Sequence, residues 1–71
     1  MKILTLNSEY IVDGKELWKN GVLLSKDVRD VMGVTKGTWM FYEGVPCVGD
    51  MLYVQYGAKY LRTSTITEVE Q

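Results

Sequence analysis

The sequence predicts an α+β fold: a strand-rich small barrel or sheet, SH3-like or similar, carrying one short helix. Tight-turn dipeptides punctuate the chain at Asp13-Gly14, Asn20-Gly21 and Gly57-Ala58. The residues flanking them alternate or run as short β-branched and aromatic stretches. Between the two strand regions, Leu24, Val28, Val31 and Met32 follow the i, i+4, i+7, i+8 spacing of an apolar helical stripe. The expected order is β-β-β-β-α-β-β-β.

The run Lys2–Leu6 supplies the first strand. A meander follows over Glu9–Val12, Lys15–Lys19 and Val22–Leu24, because Asp-Gly and Asn-Gly suit type I′ turns, whose central residues both need positive φ. Turns centred on those dipeptides set Tyr10 opposite Leu17 and Leu17 opposite Leu24, with Trp18 on the other face beside Leu23. Large apolar groups on both faces fit a barrel or an oligomer better than a sheet with one wet face.

The helix is expected to start at Ser25 as N-cap, with Asp27 in its first turn, where the dipole favours an acid. Gly33 is its stop signal. Lys26, Arg29 and Asp30 point away from the stripe. Thr38–Glu43 then opens a second strand system, broken at Gly44-Val45-Pro46 because proline cannot donate to a central ladder. Met51–Tyr56 and Lys59–Val69 pair across Gly57-Ala58, with glycine where a type II′ turn requires it.

That register sets Tyr56 against Lys59, Gln55 against Tyr60, Val54 against Leu61 and Tyr53 against Arg62. Leu52, Val54 and Leu61 form a core face, and Tyr53, Gln55, Tyr60 and Arg62 form an aromatic and polar one. Strict alternation cannot bury Leu61, Ile66 and Val69 together, so a bulge or bend is expected near Thr63–Thr65.

The chain has 71 residues, which makes residues 1–71 one compact domain. So short a chain buries only about 60 % of its extended surface and usually needs a staple. With one cysteine and no histidine, neither an intrachain disulfide nor a structural zinc site can be built. Self-association is the remaining staple, and a homo-oligomer is expected. The net charge is −1 and the eight basic residues are scattered, which disfavours duplex DNA as a partner. No apolar run approaches a membrane span or a signal peptide's apolar region. The expectation is a soluble, cytoplasmic protein that does not engage membranes.

The chemistry points away from catalysis. Histidine, the commonest general base and metal ligand, is missing. Cys47 lies between Pro46 and Val48 and reads as a small buried hydrophobe rather than a nucleophile. The pairs Asp27/Asp30 and Glu68/Glu70 read as solvated surface. The glycine spacings match neither phosphate-loop nor dinucleotide signatures. A non-enzymatic binder with no cofactor and no metal is expected.

Its binding residues are sought among the aromatics. Phe41 and Trp18 are assigned to the core. Tyr53, Gln55, Tyr60, Arg62 and Ser64 are the candidate ligand or partner site, to which Thr65 adds a hydroxyl. Lys36, Thr38 and Trp39 form a second candidate, for which a turn followed by a strand is the plainer reading.

Tyrosines beside an arginine suit a protein hot spot or a subunit contact. The first functional expectation is a small inhibitor or adaptor that occupies a protein surface, of the kind phage and mobile-element accessory genes encode. The alternative is an oligomer that sequesters a small nucleotide or cyclic nucleotide between subunits, with bases on tyrosines and phosphate on Arg62. A weaker alternative is a barrel binding single-stranded RNA or DNA, against which the lack of clustered Lys and Arg counts.

Overall fold

The computed structural model describes residues 1–71. It has eight strands and no helix: β1 (Lys2–Thr5), β2 (Glu9–Asp13), β3 (Glu16–Lys19), β4 (Val22–Ser25), β5 (Val28–Val34), β6 (Phe41–Glu43), β7 (Met51–Tyr56) and β8 (Lys59–Glu70). They form one open antiparallel sheet in the order β4-β3-β2-β1-β8-β7-β5-β6. This corrects the expected α+β class and the barrel alike: the helical segment is a strand, and β4 and β6 are free edges.

The expected helix is β5, and the reason is local. Val28 pairs with Tyr56 and Val31 with Val54, and a register shift between Val28 and Asp30 absorbs one extra residue. Tyr56 and Val54 lie two apart on β7, so they share a face. Their partners Val28 and Val31 therefore share it too, although they are three residues apart. A bulge in a strand has reproduced the spacing of a helical stripe. β-Branched valines at 28, 31 and 34 favour the strand. Ser25 does accept a hydrogen bond from the Asp27 N–H (2.9 Å), but the bond shapes the β4–β5 turn instead of capping a helix.

Gly33 does not stop a helix either. It lies opposite Tyr42, whose ring fills the space that a Cβ at position 33 would need. The Tyr42 hydroxyl donates to Asp50 Oδ2 (2.6 Å) and accepts from the Cys47 N–H (3.0 Å), which ties the β6–β7 connection to the sheet. Loss of hydration, followed by the bond to Asp50, pushes the Tyr42 pKa up to about 12. In this connection Pro46 is buried and Cys47 is exposed, so the reading of Cys47 as a buried hydrophobe is overturned.

One buried cluster holds Ile3, Tyr10, Val12, Leu17, Val28, Leu52, Val54 and Ile66. No helix or second sheet covers it, so the sheet must curl to bury its own inner face. A bond from the Val28 N–H to the Lys15 carbonyl (3.0 Å) joins the start of β5 to the β2–β3 turn, across the concave side.

β8 makes the curl possible, pairing with β7 in its first half and β1 in its second. One register shift falls between the Tyr53–Arg62 and Met51–Thr65 pairs, within the expected bulge region. A second separates Thr5–Ile66 from Leu4–Glu68. Each adds one residue to β8, so Thr63, Ile66 and Val69, three apart, all turn toward the inner face.

The turns are partly as expected. Asn20 and Gly21 have φ of 49° and 81°, as a type I′ turn demands, and Trp18 pairs with Leu23. The first turn instead centres on Gly14-Lys15, so Tyr10 pairs with Lys19 and Val12 with Leu17. The shift is of two residues, and an even shift preserves which side chains face the core. Leu17 opposes Ser25 because Leu24 is the extra residue of a bulge. At the β1 end, Lys2 reaches Glu9 (3.1 Å) and Glu70 (3.9 Å), and these acids, Glu9 first, raise its pKa. No helix is long and apolar enough to cross a membrane.

A candidate binding face of aromatic residues

The outer face of β6-β5-β7-β8 can be read from its registers. One cross-strand row runs Glu43–Met32–Tyr53–Arg62 and the next Phe41–Val34–Met51–Thr65, while Asp30–Gln55–Tyr60 follows on the other side. Partners in an antiparallel pair share a face, so these side chains all project from one surface. Within it Tyr53 and Tyr60 are stacked (centroids 5.4 Å apart, planes at 25°), and Phe41 meets Tyr53 edge-on (5.1 Å, 87°). Both arrangements are favoured for aromatic pairs.

The β5–β6 connection, residues 35–40, folds over one end of this face. Trp39 stacks on Arg62, with the guanidinium carbon 4.4 Å from the ring centroid. Lys36 Nζ donates to Thr65 Oγ1 (3.2 Å). Both contacts reach from the β5–β6 loop to β8, across β7. Val34, fully buried although outside the main core cluster, lies in the row beneath. Trp39 has φ of +59°, a conformation that costs an L-residue roughly 1–2 kcal/mol. The Trp39 N–H bonds back to the Thr35 carbonyl (2.9 Å) and the Thr35 N–H to the Met40 carbonyl (2.8 Å). These bonds hold the strained turn.

Much of this surface is open to solvent: Trp39 is 51 % exposed, Met40 66 %, Phe41 52 % and Tyr60 67 %. Phe41 is thus not the core residue expected of it. Trp18 is half-buried and donates its indole N–H to Glu16 (3.3 Å). The chain has no cavity, and no group of three or more His, Cys, Asp or Glu side chains could hold a metal ion.

Tyr53, Gln55, Tyr60 and Arg62 lie together in the expected register. Ser64 departs from them. Alternation from Arg62 would carry Ser64 to the aromatic face, but the bulge gives that place to Thr65, which pairs with Met51. Ser64 Oγ is buried with no hydrogen-bond partner. The second candidate set proves continuous with the first, since Trp39 touches Arg62 and Lys36 touches Thr65; Thr38 is exposed in the same loop. Sequence reasoning missed Phe41 and Met32, whose places depend on the β5–β6 pairing that a helix precluded.

The charges at the β8 side of the face are open. The chain's ion pairs are Lys2–Glu9, Lys2–Glu70 and Arg29–Asp27; Arg62 and Lys36 have no acidic partner. In comparisons with protein-family models, curated proteins and solved structures, nothing matches this chain.

Proposed function

We propose that the protein is a non-catalytic binding module that docks the outer face of β6-β5-β7-β8 onto another protein, acting in the cytoplasm as an inhibitor or adaptor. The supporting observation is the continuous, solvent-open cluster of Trp39, Phe41, Tyr53 and Tyr60 with Arg62. Exposed apolar groups scattered singly need no explanation, but a contiguous patch does. Tyr, Trp and Arg are the side chains that dominate the energetics of protein interfaces. Their mutual stacking fixes them before binding, so little side-chain entropy is left to lose.

The face as one chain presents it suits a protein partner, whereas a small nucleotide would need a pocket completed by a second subunit. Small ligands are bound in concave sites that enclose most of their surface, and this face offers none within one chain. The test is capture from the cells that make the protein, with wild type and Tyr60→Ala compared side by side. A protein retained by wild type and lost from Tyr60→Ala supports the reading; retention of the same proteins by both contradicts it.

A further inference from the structure

The face described above ends in two cations with unspent charge, and they indicate what the partner must bring. Arg62 and Lys36 approach no carboxylate. The Arg62 guanidinium lies over the Trp39 ring and makes no ion pair, and none of its N–H groups donates to an acceptor within the chain. A guanidinium stacked on an aromatic ring keeps the donors in its own plane open for a planar two-oxygen acceptor. Lys36 is positioned by a neutral hydroxyl, that of Thr65, which leaves its charge uncompensated. Arg62 and Thr65 occupy successive positions on this face of β8, so the two cationic heads are neighbours.

One acid is close by: Glu68 is the next outward position on β8 after Thr65, but it makes no ion pair with Lys36 or Arg62 and its charge acts on Lys2. The other acids of the face lie farther off. Glu43 is in the same row as Arg62 but three strands away, or about 14 Å at the usual spacing of strands. That exceeds the ~8 Å over which physiological salt screens charges. Asp30 lies at the opposite end, beside Gln55.

We infer that the docked segment is acidic and aromatic, placing a carboxylate at Arg62 and Lys36 and an apolar or aromatic side chain on the Tyr53–Tyr60–Phe41 cluster. This rests on the docking role proposed above and specifies the chemistry of the partner. A carboxylate is favoured over a nucleic-acid phosphate because polynucleotide binding draws on many phosphate contacts. Here the face supplies two cations, and the net charge of the chain is −1.

The test titrates isotope-labelled protein with a random copolymer of glutamate and tyrosine, and separately with oligo-dT, following the two tryptophan indole N–H signals by NMR. Trp39 reports the site, and Trp18, on the other half of the sheet, is an internal reference for folding. The copolymer should shift Trp39 and leave Trp18 in place. Arg62→Gln and Lys36→Gln should each weaken that binding by about tenfold, as loss of a charge-assisted hydrogen bond implies, and added salt should weaken it too. Arg62→Lys should bind between wild type and Arg62→Gln.

An unmoved Trp39, equal binding by Arg62→Gln and wild type, or tighter binding of oligo-dT than of the copolymer each overturns the inference. If a protein captured through Tyr60 binds Arg62→Gln as tightly as wild type, the acidic partner is refuted and the docking face survives. If no protein is captured through Tyr60, the docking role itself fails.

Discussion

The guanidinium of Arg62 lies over the ring of Trp39, 4.4 Å from its centroid, and this one contact joins a strained loop residue to the first half of the longest strand. Tryptophan has no intrinsic reason to adopt φ of +59°, and glycine tolerates it freely. The strain is held by the Trp39–Thr35 and Thr35–Met40 backbone bonds. It keeps a large aromatic side chain against β8 while half of its surface faces water.

Trp39 therefore has opposite consequences for stability and binding. Trp39→Gly should be more stable than Trp39→Ala by about 1 kcal/mol, because alanine keeps the backbone strain and glycine removes it. Urea midpoints of the two variants measure this. Both should lose partner binding, since both remove the ring that supports Arg62.

Gly33 and Tyr42 should behave as a coupled pair. Gly33→Ala drives a Cβ into the Tyr42 ring and should cost about 1–3 kcal/mol, the usual penalty for overpacking. In a Tyr42→Ala background the same change should cost much less, because the ring is gone. The double-mutant cycle over urea unfolding gives the coupling.

Alkaline titration should expose the Tyr42 hydroxyl. Its folded pKa is pushed from the ordinary 10.0 up to about 12, so the folded state holds the proton more tightly than the unfolded state. The resulting stabilisation is fully present below pH 10 and is lost as pH rises through about 12. Tyr42→Phe loses the bonds to Asp50 and Cys47 and has no proton to release, so wild type should exceed it in stability near neutral pH, and the gap should narrow across that window. A pH series of urea midpoints for both proteins measures it.

Ser64 offers a test of where the face ends. Its hydroxyl is buried without a partner, so Ser64→Ala should be neutral or stabilising by up to about 1 kcal/mol. It should leave partner binding unchanged. Thr63→Val, by contrast, removes the acceptor for the Leu52 N–H (3.0 Å) and the donor to the Ser64 carbonyl (2.8 Å). It should cost about 1–3 kcal/mol for the buried groups left unpaired. Thermal melts of the two variants separate these outcomes.

The local signals in the sequence were legible where two residues decide a turn. Asn20-Gly21 and Gly57-Ala58 fixed their hairpins, and with the second came the grouping of Tyr53, Gln55, Tyr60 and Arg62. The misplaced first turn did no harm to the faces, since Gly14-Lys15 differs from the expected register by two residues.

Bulges explain most of what was not legible. Val28/Val31, Thr63/Ile66 and Ile66/Val69 are pairs three apart that face inward together, a spacing that belongs to helices unless an extra residue interrupts the strand. At Thr63–Thr65 the conflict was visible because the β7 register was already anchored. At Val28–Val31 no neighbouring turn anchored β5, and the same spacing looked helical. With the helix went the pairing of β5 with β6 and β7, and so the placement of Phe41 and Met32.

The most direct test of the docking role is site-specific photo-crosslinking in the producing cells, with the reactive amino acid placed in turn at Tyr60, Phe41 and Thr67. Thr67 is the exposed extra residue of the second bulge in β8, outside the aromatic face. Discrete protein adducts at Tyr60 and Phe41, absent at Thr67, are the predicted result. Equal labelling at all three positions, or no protein adduct at Tyr60 and Phe41, would contradict a protein-docking face on β6-β5-β7-β8.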